Sequence, residues 1–276
     1  MTSIKQELKE YGLFPKKGLG QHFLIDRNIL NKVIQTAQVG KEDVVLEVGP
    51  GLGEMTLALA HKAKHVIAVE IDSKLVEILK KKLADYPNVD VLRGNILTIN
   101  FRKSDFREGQ KMKVVANLPY QISTPLLFHF IELKEYFSSL TLMLQKEVAE
   151  RIVASPGSKA YSPLSIFIQL FSDLSIQFFI KPSAFFPPPK VESAVIHMVL
   201  KERPAVAIDD EKWFKKVVRG CFSYRRKTLI NGLKHSGLSL PYDKEKRMEK
   251  IGIDPRRRPE TLTIQEFANL AEALKV

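Results

Sequence analysis

Cysteine is nearly absent from this chain. The one thiol among 276 residues, Cys221, cannot close an internal disulfide, so no disulfide framework holds the fold. Histidine and cysteine do not recur at zinc-ligand spacing either. His61 and His65 stand four apart with no evident third ligand, and no metal is expected. No apolar run approaches the roughly 20 residues of a membrane helix, and the amino terminus, "MTSIKQELKEYG", lacks the hydrophobic stretch of a secretory leader. These absences predict a soluble protein of the reducing cytoplasm with no membrane partner. Internal repeats are missing as well.

What is present is a core-forming and strongly basic chain. With 45% hydrophobic and 27% charged residues it has enough apolar material for one large domain and a smaller one. The 43 Lys and Arg outnumber the 31 Asp and Glu, a net charge of +12. Residues 201–276 hold 18 basic and 11 acidic side chains, against 25 and 20 in residues 1–200. A basic final quarter suits a polyanion such as nucleic acid, and a merely solvated surface is the plain alternative.

Short β-branched runs alternate with helix-period segments through the first 200 residues, which predicts an α/β fold, a parallel sheet with helices on both faces. The strands fall at 43–49, 65–71, 89–94, 113–118, 139–145, 174–180 and 193–200. Helices are expected behind Asp26, a fitting N-cap, and behind Asp72 or Ser73. After Leu200 the segment "KERPAVAIDD" reads as a linker, and helices follow at 212–222, 225–234 and 263–274. The reading is a domain over 1–200 and a basic helical domain over 208–276.

Chemistry first shows in "VLEVGPGLGEMT". It closes the first long strand and opens a helix, where α/β sheets bind ligands. Gly49, Gly51 and Gly53 permit close backbone approach, but Glu54 stands where a dinucleotide fingerprint wants its last glycine, and no phosphate-loop Lys-Ser/Thr pair follows. Glu70 ends the next strand about twenty residues on, where a carboxylate accepts from ribose hydroxyls. With Glu47 ahead of the glycines, the pattern favours S-adenosylmethionine over a pyrophosphate ligand.

"NLPYQIS" ends a later strand. An exocyclic adenine amine is a poor nucleophile, because its lone pair is delocalised into the ring. Acceptors from the Asn117 side chain and the Leu118 carbonyl would hold its hydrogens while a bond to carbon forms. Pro119 sets the turn, and Tyr120 offers a face for a base. An ordinary strand exit with a buried tyrosine fits the same letters.

Taken in order, "GLGQHFLID" (18–26), "VLEVGPGLGEMTLAL" (45–59), "VIAVEID" (66–72), "VVANLPYQISTPLL" (114–127), "FFPPPKVESAV" (185–195) and "CFSYRRKTLINGL" (221–233) resemble the ribosomal RNA adenine N6,N6-dimethyltransferases, nearly end to end. The resemblance implies a Rossmann-like class I methyltransferase domain with a small all-helical C-terminal domain. Residues 1–25 would close over the cofactor, with Gln21, His22 and Leu24 touching it. His22 stands where an Asn is common. Gly49 and Gly51 would line the methionine end of S-adenosylmethionine, Glu70 its ribose and Asn95 its adenine, with Glu47 and Asn117 also binding the cofactor. An Asp is usual at 95. Asn117, Leu118 and Tyr120 would be catalytic, and Phe185 would stack on the target adenine opposite Tyr120. Without the resemblance, Phe185 reads as a core aromatic.

The resemblance further implies two methyls on N6 of each of two adjacent adenosines in the 3′-terminal hairpin of 16S rRNA, within the assembling small subunit, the pre-30S particle. Arg225, Arg226 and Lys227, with Arg256, Arg257 and Arg258, would grip RNA phosphates. A monomer is the default expectation. The alternatives are a 23S rRNA adenine methylase and a non-catalytic assembly or nucleic-acid-binding factor.

Overall fold

The apolar runs of the first 200 residues become the strands. In the computed structural model, which describes residues 4–99, 101, 110–224 and 227–275, the chain begins with α1 (Ile4–Glu10), β1 (Phe23–Leu24) and α2 (Arg27–Thr36). It continues through β2 (Val44–Val48), α3 (Glu54–Ala60), β3 (His65–Glu70), α4 (Ser73–Lys82) and β4 (Val89–Arg93). Next come β5 (Met112–Asn117), α5 (Ser123–Glu132), β6 (Phe137–Gln145), α6 (Lys146–Ile152) and α7 (Pro163–Phe171). After β7 (Ser172–Ile180), β8 (Phe185–Phe186) and β9 (Ser193–Leu200), the chain is helical: α8 (Glu211–Cys221), α9 (Leu229–Lys234), α10 (Lys244–Lys250) and α11 (Ile264–Ala273). Asp26 and Asp72 cap α2 and α4 as their positions predict, accepting from Asn28 N at 2.9 Å and Lys74 N at 3.1 Å. Among the described residues no helix is long and apolar enough to cross a membrane.

Seven strands form one sheet in the order β4-β3-β2-β5-β6-β9-β7. All of β2 is buried, and all of β3 except His65, because strands covered on both faces need unbroken apolar runs. β2 pairs in parallel with β3 on one side and β5 on the other, setting Val48 beside Val69 and Ala116. The chain leaves β2 for β3 and later returns to β5, so the strand order reverses there and a crevice opens beyond the strand ends. Contrary to the expectation of a parallel sheet, β9 runs antiparallel to β6. Between β7 and β9 no α-helix intervenes, and a parallel placement would have required a long crossover.

The chain divides into two compact units, residues 1–149 with 173–200 and residues 150–172 with 201–276. The change of texture after residue 200 predicts one boundary there, and the structure differs by placing 150–172 in the second unit. The reason is α7, which buries seven of its nine residues and sets Phe167 edge-on to Phe214 of α8, ring centres 6.2 Å apart. A helix apolar on nearly every side carries no stripe to reveal its partner. Within this unit Trp213 Nε1 donates to the Ala271 carbonyl at 2.7 Å, and Cys221 is buried and free. α9 starts at Leu229 rather than 225, behind Thr228. α10, which buries only Met248, lacks the apolar periodicity that would announce it.

Candidate active site

Two acids and a glycine turn meet at the carboxyl ends of β2 and β3. Glu47 is wholly buried, and among the described residues its carboxylate makes no well-formed hydrogen bond, the nearby Thr56 hydroxyl being its one weak partner. Burial pushes its pKa up to about 8, with the nearby Glu70 charge adding and Thr56 opposing. Glu70 is also buried and raised, chiefly by desolvation, but it is firmly held: it accepts from Asp72 N at 2.9 Å and from Gly51 N at 3.4 Å. Gly49 and Gly51 take φ of 67° and 61°, the left-handed region that favours glycine. A side chain on Gly49 would point into open space, and one on Gly51 would press on the Phe23 ring at 3.1 Å. The turn is therefore a cradle whose walls are backbone.

The N-terminal segment lies across this cradle. Lys16 Nζ pairs with the buried Asp72 carboxylate at 2.7 Å, and Gln21 Oε1 accepts from Lys16 N at 2.9 Å. Phe23 and Leu24 form β1, paired with Phe186 and Phe185 of β8. One cavity results, lined by Gln21, His22 and Leu24 from the segment, Glu47, Gly49 and Gly51 from the turn, Glu70 from β3, Asn95 beyond β4, and Asn117, Leu118 and Tyr120 beyond β5. The structure thus brings together every expected cofactor residue and three of the four expected catalytic ones. Asn95 is partly committed already, since its side-chain oxygen accepts from Leu97 N at 3.0 Å.

At the exit of β5, Asn117 Nδ2 donates to the His22 carbonyl at 2.8 Å, which leaves its amide oxygen without a partner among the described residues. Leu118 N donates to the Met143 carbonyl at 2.9 Å and fixes the turn. Tyr120 is tied through its hydroxyl to Ser193 Oγ, and burial raises its pKa. Ser193, Pro187 and Thr56 border these groups, and no local spacing in the sequence announces them; the Tyr120 and Ser193 contact spans 73 residues.

Phe185 lies elsewhere. Its ring is 2% exposed and packs with Val33, Met143 and Val195 in the core, outside the cavity lining. Alternation along β8 turns Phe185 inward and leaves Phe186 half-buried. The stacking position expected for Phe185 is not where its ring sits.

The arginine clusters also divide. Arg225 and Arg226 lie outside the described residues, and Lys227 is exposed. Arg256 is exposed beside Asp254 at 3.3 Å, and Arg258 sits 3.8 Å from Glu260. Arg257 is an internal strut: it donates to both Glu266 oxygens and to the Thr261 carbonyl at 2.8 Å, bracing the start of α11. A guanidinium so engaged has little left for a phosphate.

A sheet of this order, with its ligand crevice at the β2 and β5 switch point and an acid at the tip of β3, makes the chain a class I methyltransferase. The family model for ribosomal RNA adenine dimethylase matches residues 14–275. The chain is 45% identical over 265 residues to the ribosomal RNA small subunit methyltransferase A of Geobacter metallireducens, covering 95% of this chain and 96% of the relative. A dimethyladenosine transferase crystal structure from Plasmodium falciparum superposes with a TM-score of 0.76 at 31% identity, over 90% of this chain and 96% of that one. The 23S rRNA methyltransferase ErmE shares the fold, with a TM-score of 0.68 at 23% identity over 91% of this chain and 99% of its own. The chain belongs to the ribosomal RNA adenine dimethylase family.

Proposed function

We propose that this enzyme transfers methyl groups from S-adenosylmethionine to N6 of two adjacent adenosines near the 3′ end of small-subunit ribosomal RNA, two methyls to each. The observation that carries the reading is the buried carboxylate of Glu47, without a well-formed hydrogen bond among the described residues, beside a backbone cradle and within one cavity with Asn117 and Tyr120. An acid this strongly desolvated is suited to a cationic ligand, whose charge would favour its ionised form. Glu70, oriented by two backbone amides, would accept from a ribose. Gly49 and Gly51 would let the ligand's methionine end approach the backbone, and Asn95 would face its adenine.

S-adenosylmethionine supplies an electrophilic methyl on a sulfonium that is its own leaving group. The chain's part is to hold the nucleophile in line. The Asn117 amide oxygen and the Leu118 carbonyl, both without partners among the described residues, are the acceptors for the two hydrogens of the target amine. Tyr120 provides the stacking face. The amine becomes acidic only after it has gained the methyl, so no strong base is needed to remove its proton to water.

The small-subunit substrate is favoured by the relative at 45% identity, which carries that name. The assembling subunit in the cytoplasm, contacted through Lys227, Arg256 and Arg258 by a monomeric enzyme, belongs to the same reading. The test is to incubate the protein with labelled S-adenosylmethionine and undermethylated small or large subunits, then identify the modified nucleoside by mass. Dimethyladenosine in small-subunit RNA is the expected product. Label confined to large-subunit RNA would overturn the substrate, and tight subunit binding with no label would make the chain an assembly factor.

A further inference from the structure

Groups that must act together converge on one residue of the N-terminal segment. The His22 carbonyl accepts from Asn117 Nδ2 at 2.8 Å, its ring Nδ1 lies 2.7 Å from the Pro187 carbonyl, and its ring stacks on Tyr120 with centroids 5.3 Å apart and planes 25° from parallel. A carbonyl only accepts, so Nδ1 carries the proton and this bond sets the rotation of the imidazole. Tyr120 is then held by its hydroxyl at Ser193 and on one face by His22, and its ring offers a base a single plane. Asn117 is fixed in the same way: with Nδ2 engaged, the oxygen is committed as the acceptor.

We propose that His22 is the positioning residue that assembles the target-base site, aligning Tyr120 with its ring and Asn117 with its backbone. This rests on the adenine-methylating reading above. The segment carrying His22 is anchored on the cofactor side, by Lys16 to Asp72 and by Phe23 against Gly51. Docking of the segment over the glycine turn and assembly of the base site are thus one event. Cofactor and target adenosine then strengthen each other's binding by the same factor.

The test compares His22→Ala, which removes the stack, with His22→Phe, which keeps it. Cofactor affinity is measured calorimetrically without and with undermethylated small subunits, alongside kcat and KM. The Tyr120 ring is followed by fluorine NMR of 3-fluorotyrosine protein, its line assigned through Tyr120→Phe. In His22→Ala, kcat should fall about tenfold, the Tyr120 line should broaden, and the affinity gain on adding subunits should vanish, while cofactor affinity without RNA falls by much less than kcat/KM. His22→Phe should recover most of kcat. An alanine variant with normal kcat, or with a Tyr120 line as sharp as wild type, overturns the proposal. So does a loss of RNA-free cofactor affinity equal to the loss in kcat/KM, which would make His22 a cofactor ligand only. If wild type labels no small-subunit RNA, the function reading fails instead, and the Tyr120 line still decides what His22 does.

Discussion

Glu47 in the first unit is wholly buried and Arg257 in the second is half-buried, and their surroundings are opposite. Glu47 makes no well-formed hydrogen bond among the described residues, whereas Arg257 spends most of its guanidinium on Glu266 and Thr261. A buried ionisable group without a well-formed partner costs folding free energy when it ionises and is expected where a ligand will complete it; a guanidinium with most of its donors engaged serves the fold. The contrast separates residues by task more sharply than residue type does, since Arg256 and Arg258 flank Arg257 and remain exposed.

The largest expected effect lies at the reaction centre. Asn117→Ala removes the acceptor aligned for the target amine and should lower kcat by about 10³-fold, with cofactor affinity, measured by calorimetry, changed little. Full activity in this variant would remove the mechanism. In the second unit, a methyl on Gly232 would meet the Cys221 carbonyl oxygen at 2.5 Å, backbone that cannot step aside. Gly232→Ala should therefore cost about 3 kcal/mol in urea denaturation.

Arg257→Ala sharpens the comparison directly, with an expected stability loss of about 2 kcal/mol for charged hydrogen bonds. Arg257 also lowers the Glu266 pKa, so this stabilisation is present above the ordinary carboxylate range and is lost as pH falls through the depressed value. The variant should accordingly lose less stability than wild type on acidification, in melting curves taken from pH 6 downward.

Glu47 has the opposite sign. Its pKa is raised from 4.5 to about 8, so its contribution is most favourable below 4.5 and is eroded as pH rises toward 8. Without cofactor, Glu47→Gln should melt above wild type at pH 8, with the difference shrinking toward pH 5. Cofactor affinity in the same variant should fall about tenfold. Arg256→Ala should have the smallest effect: unchanged stability, and a slope of log affinity for RNA against log salt reduced by about one.

Much of this protein is legible from local pattern. The seven main strands, the Asp26 and Asp72 caps and the glycine turn each follow from the chemistry of a few adjacent residues. Glu47, Glu70 and Asn117 are legible for the same reason, since each lies at or one residue before the end of a strand and parallel strands of one sheet deliver their carboxyl ends to one crevice. Only the tertiary structure decided that β9 runs antiparallel, that 150–172 joins the second unit, that Phe185 turns into the core and that Arg257 is a strut. Apart from Arg257, whose partners lie within nine residues, those outcomes depend on parts of the chain far apart in sequence, as do the site contacts of Tyr120 with Ser193 and of His22 with Pro187 across 165 residues. Spacing along a sequence encodes which face a side chain takes. What waits on that face is settled by packing.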